Sequence, residues 1–157
     1  MQFRTIALAL AIGSGAFAAD TCPVTKPPDP PFVPPKPFPE ASGGSFYVGT
    51  PKLWVLVHAH RPDGVWRGLP LWPEGYREKI TWFSEGYVAK ADPLPAIEIS
   101  GRRLDDAKAL PMVVTGANGS WTSVDFIMSG VNFPTAGCWE VTGRFRGAEV
   151  KFVVRVE

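Results

Sequence analysis

Gly137-Cys138-Trp139-Glu140-Val141-Thr142-Gly143-Arg144-Phe145-Arg146-Gly147-Ala148-Glu149-Val150-Lys151-Phe152-Val153-Val154-Arg155-Val156 decides the fold of this chain. In its second half Val150, Phe152, Val154 and Val156 fall on one face of an extended strand, with Lys151 and Arg155 on the other. In its first half Trp139, Val141 and Phe145 share a face opposed by Glu140, Thr142 and Arg144. Side chains alternate along a strand, so each half has one apolar and one polar side. Arg146-Gly147-Ala148 is the right length for a tight connection, and Gly147 is free to take positive φ. The stretch predicts a C-terminal β-hairpin that buries one face.

The same grammar runs upstream. From Phe46 onward, β-favouring runs alternate with Gly, Pro, Asn and Asp: Phe46–Gly49, Leu53–His60, Lys79–Ser84, Ala96–Ser100, Met112–Thr115, Ser123–Val131, Cys138–Phe145 and Glu149–Val156. Short strands with turn signals between them, and no sustained helical period, predict an all-β domain over residues 45–157. Such a pattern closes as an antiparallel β-sandwich or a barrel, here behind a proline-rich N-terminal extension. Trp54 and Trp139 are read as lying in strongly alternating strands and therefore as core.

Residues 19–44 form that extension. Nine prolines occupy the seventeen positions from Pro23 to Pro39. Few backbone donors and a fixed φ favour extended polyproline II over sheet or helix, so the segment is read as a stiff linker or a strap laid over the domain. Ser42-Gly43-Gly44 marks the junction with the folded part.

Ahead of it, residues 1–18 have the pattern of an export signal. Arg4 supplies the positive start, Ile6 to Ile12 a short apolar run, and Ala16-Phe17-Ala18 a cleavage site after Ala18. The run is shorter than the ~20 residues that span a bilayer, so no membrane insertion is expected. Removing 1–18 takes away one basic residue and no acid. Of 16 basic and 15 acidic residues, 15 of each remain, a net charge of zero. That balance argues against nucleic acid as a partner, since such binders carry a basic excess that displaces counterions. The expected location is secreted or periplasmic. An oxidising compartment makes the two cysteines, Cys22 and Cys138, a disulfide. A loop of that length contributes roughly 4–5 kcal/mol on a chain-entropy argument.

Gly137-Cys138-Trp139-Glu140-Val141-Thr142-Gly143-Arg144, with Gly101-Arg102-Arg103-Leu104-Asp105 upstream and Cys22-Pro23-Val24 near the start, resembles an uncharacterised family of small secreted bacterial proteins. The resemblance is most specific near the C-terminus. It implies an immunoglobulin-like sandwich and export, and it brings no activity with it.

Few residues offer chemistry. His58 and His60 sit at i and i+2, on one face of a strand and close enough to share a metal ion, although the alternative is a solvated face opposite Leu53, Val55, Val57 and Ala59. Trp66, Trp72 and Tyr76 fall in the Gly-, Pro- and charge-rich stretch 64–77, read as a long loop that either packs over an open end of the core or binds a ligand. Gly101 to Asp106 is read as a self-neutralising charged turn. There is no Gly-x-Ser-x-Gly elbow, His-Glu-x-x-His, phosphate loop or dinucleotide fingerprint. No catalytic residue and no cofactor are therefore expected. The leading expectation is a non-catalytic exported module that contacts protein or glycan through 61–78. The alternatives are a metal-binding protein using His58 and His60, and an inhibitor or chaperone-like partner that docks by an exposed sheet edge.

Overall fold

A computed structural model describes residues 22–57, 61, 63–120 and 124–157. Ten strands run through them: β1 (Phe46–Thr50), β2 (Leu53–Val57), β3 (Val65–Trp66), β4 (Leu71–Trp72), β5 (Gly75–Phe83), β6 (Glu98–Arg103), β7 (Val113–Ser120), β8 (Phe126–Phe133), β9 (Gly137–Phe145) and β10 (Ala148–Val156). One sheet has the order β1-β2-β5-β8-β7, with β4 also against β5; the other has the order β3-β10-β9-β6. Every pairing is antiparallel except β3 with β10.

Leaving aside the edge strand β1 and the short β3 and β4, the order β2-β5-β8-β7 facing β6-β9-β10 is the A-B-E-D and C-F-G arrangement of an immunoglobulin-like sandwich. The expected fold class holds. The chain crosses to the second sheet for β3, for β6 and again for β9–β10, so four of the eight pairings join strands that do not follow one another in sequence.

The C-terminal hairpin forms in the register its alternation dictates, from Ala148 opposite Phe145 to Val156 opposite Gly137. Its connection is two residues, Arg146 at φ 48° and Gly147 at φ 79°. Two successive positive φ values match the right-handed twist of the flanking strands. Between the sheets lie Leu53, Val55, Val57, Ile80, Trp82, Ile127, Val131, Phe133, Trp139, Val141, Phe152 and Val154, all buried. Trp82 reaches across from β5, and its indole nitrogen donates to Ser129 Oγ at 2.9 Å. Gly143 on β9 makes room for it, since a Cβ there would collide with the Trp82 ring.

The proline-rich segment is a strap. Cys22 is disulfide-bonded to Cys138 with their Cα atoms 5.5 Å apart. Thr25 N donates to Val153 O at 3.0 Å, and Val153 N donates to Thr25 Oγ1 at 2.7 Å. These bonds occupy the outer edge of β10 beside the stretch that β3 covers. Farther along, Phe32, Phe38 and Ala41 pack on a second apolar cluster of Tyr47, Trp54 and Phe83. Trp54 is thus buried, but under the strap rather than between the sheets. Leu53-Trp54-Val55-Leu56-Val57 is continuously apolar for this reason: both faces of β2 are covered.

Two local readings change. The stretch 64–77 contains β3 and β4, where a loop was expected. Gly101-Arg102-Arg103 is the end of β6 rather than a turn, with Arg102 bonded to Glu140 and Arg103 to Asp105. Burial pushes the Asp105 carboxyl up, but the hydrogen bonds from Arg103 and from the Cys138 backbone outweigh it and hold the group below its ordinary value. Among the described residues no helix is long and apolar enough to cross a membrane.

Candidate binding face

The outer face of the first sheet carries the odd-numbered side chains of the second half of β5 and the even-numbered ones of β8, because Ile80, Trp82, Ile127 and Val131 take the inner positions. One end of this face lies under the strap, as Phe83 and Phe126 around Trp54. The other end is bare. It presents Arg77 and Lys79 from β5, and Met128 and Gly130 from β8.

A groove of about 380 Å³ runs along the bare end, lined by Arg77, Lys79, Met128 and Gly130 and by Thr115, Gly116, Ala117 and Asn118 of β7. Its far wall is a bulge. The β7–β8 register slips between Val114 and Ala117, and Gly116 takes φ 107°, a conformation L side chains avoid. Gly130 is the floor, where a Cβ would run into the Thr115 hydroxyl. Among the described residues no acidic side chain lines the groove.

At the groove's rim stands a cation–π pair. The Arg77 guanidinium lies over the Trp72 ring with its carbon 4.1 Å from the ring centroid. Arg77 Nε also donates to Asn132 Oδ1 at 3.0 Å. This contact and the hydrogen bond hold the guanidinium in place. Asn132 is fully buried, and its Nδ2 has no acceptor among the described residues. The β4–β5 hairpin places Trp72, with Trp72 opposite Gly75. Gly75 has φ 120° and passes so close to the Phe133 carbonyl that no side chain fits. Trp72 stays 49 % exposed.

The three aromatic residues singled out in the sequence therefore part company. Trp72 is at the surface. Tyr76 is half-buried and packs on the main core. Trp66 is a correction: only 4 % exposed, it lies against Phe133 and Phe152, because β3 joins the edge of β10 and turns its ring inward. Arg61 covers it at 5.3 Å and pairs with Glu78 at 2.8 Å. His58 and His60 fall outside the described residues, and the metal-pair expectation falls there with them. Among the described residues no group of three or more His, Cys, Asp or Glu side chains is placed to hold a metal ion.

Sheet edges, the third expectation, are in part occupied. On β7, Gly119 N donates to Pro93 O at 2.9 Å, and on β6, Gly101 O accepts from Met112 N at 3.4 Å. A second depression of about 410 Å³ lies between the strap and β1, lined by Pro28, Pro31, Phe32, Val33, Phe46 and Tyr47 among others. Burial raises the Tyr47 phenol above its ordinary value.

Arg77, Lys79 and the β7 bulge were not singled out in the sequence. Their one signal was glycine inside a strand, Gly116 and Gly130, which marks bulges and close approaches. In comparisons with known proteins, the chain matches no family model, no curated protein and no solved structure.

Proposed function

We propose that this protein is an exported, non-catalytic interaction module that takes an anionic ligand on the bare end of its first sheet. One observation carries the reading: an arginine held over a half-exposed tryptophan at the rim of a groove that, among the described residues, adds a lysine and no acid. A fixed guanidinium beside an aromatic surface suits recognition of planar anions, because it loses little rotamer freedom on binding. Export is supported by the leader pattern of residues 1–18 and by a disulfide that persists in oxidising compartments. The sheet-edge alternative is weaker, since β10 is capped by Thr25 and β7 is interrupted by its bulge.

The test is retention of material from the exported fraction on immobilised mature protein, compared with the Arg77→Ala/Lys79→Ala double variant. Material held by the native protein and lost from the variant is the expected result. Equal retention on both removes this face from consideration.

A further inference from the structure

Resting on that reading of the face, we infer that its ligand is a carboxylated glycan, a chain of uronic-acid-type sugars. Three features of the groove point to sugar rather than to an acidic peptide. First, extended peptides are recognised mainly through backbone ladders along a free strand edge. The groove lies across strand faces, and the neighbouring edge of β7 is broken by the Val114–Ala117 slip and by the bond from Gly119 to Pro93. Second, the lining suits hydroxyl-rich rings. Thr115 and Asn118 supply hydroxyl and amide groups, while Gly116 and Gly130 leave backbone at the surface. Met128 in the groove, and Trp72 beside it beyond Arg77, offer apolar surface for the C–H face of a sugar. Third, the charges come in a row. Arg77 and Lys79 stand two residues apart on one strand face, roughly 7 Å along it, so they can meet carboxylates on successive sugars. A volume of about 380 Å³ lies within the ~300–1,000 Å³ of small-ligand sites.

In this arrangement the free end of the Arg77 guanidinium grips one carboxylate in two parallel hydrogen bonds, its Nε being committed to Asn132. Lys79 takes the next carboxylate as a point charge, and Trp72 carries a ring.

Calorimetry of the mature protein against trigalacturonate, its neutral methyl ester and hexaglutamate tests the assignment. Amide shifts recorded for each probe report where it sits. Expected are saturable binding of trigalacturonate with shifts at Arg77, Met128 and Asn118, and binding about 10- to 100-fold weaker for the ester, for Arg77→Ala and for Trp72→Ala. Lys79→Gln should weaken it by a smaller factor. Unchanged far-UV spectra of these surface variants confirm that the fold is intact. Hexaglutamate binding the same face as tightly as trigalacturonate overturns the glycan assignment and leaves the anionic face standing, whereas equal binding of acid and ester at this face overturns recognition of the carboxylates and the anionic face with it. Absence of saturable binding and of shifts at this face for all three probes overturns both.

Discussion

The two ends of the first sheet's outer face are built on the same strands and have opposite fates. At one end Trp54 stacks on Phe83 with ring centroids 5.7 Å apart, and Phe38 meets Trp54 edge-on at 4.8 Å. At the other end, on the same β5 and β8, Arg77 and Lys79 look out over glycine and methionine. What separates them is the strap. It leaves the second sheet at Cys138, follows the edge of β10 at Thr25, and reaches only the β1–β2 end. The comparison teaches that an outer face becomes core where a covering segment is pinned, and binding surface where it is not.

The covered end breaks first and most. Trp54→Ala should cost about 3–5 kcal/mol, the loss for a fully buried tryptophan, and Phe38→Ala, half-buried, a smaller amount. Chemical denaturation of both variants checks the order, and a change below about 1 kcal/mol for Trp54→Ala would show that the strap does not seal this cluster.

Next comes the anchor. Cys22→Ser/Cys138→Ser should lower stability by about 2–5 kcal/mol, through the unfolded chain's regained freedom and the loosened strap. It should also bring the Tyr47 phenol down toward its ordinary value near 10, because burial is what raises it. The sign follows from linkage. With the folded pKa above the unfolded one, Tyr47 contributes stability that is full below about pH 10 and is lost as pH rises through the folded value. Ultraviolet titration of the native and double-serine proteins reads the difference. Coincident tyrosine curves would mean that the disulfide does not hold the strap over Tyr47.

Smallest is the bare end. Lys79→Gln and Trp72→Ala should change stability by no more than about 0.5 kcal/mol, since Lys79 is solvated and Trp72 half-exposed. A loss as large as that of Phe38→Ala would make Trp72 a packing residue and erase the contrast.

Much of this molecule was legible in its residues. All eight anticipated strands occur, with shifted ends: β5 starts at Gly75 rather than Lys79, and β6 runs on to Arg103. The hairpin at Arg146-Gly147 and the Cys22–Cys138 bond also occur. The candidate site was legible only in Trp72. Trp66 stands in a stretch of loop-like composition, and two residues of parallel pairing to β10 are too short a pattern to announce a strand.

Alternation, turn residues and paired cysteines are properties of neighbouring positions, or of a simple count, and these the chain carries openly from end to end. Which outward tryptophan stays wet depends instead on contacts between distant segments: a strap tied 116 residues away, and a bulge in β7 beside a glycine in β8. Trp54 and Trp72 are chemically the same side chain. Only the folded arrangement dries one beneath Phe38 and leaves the other holding Arg77 at the surface, because water is excluded by what lies above a residue and not by the residue itself.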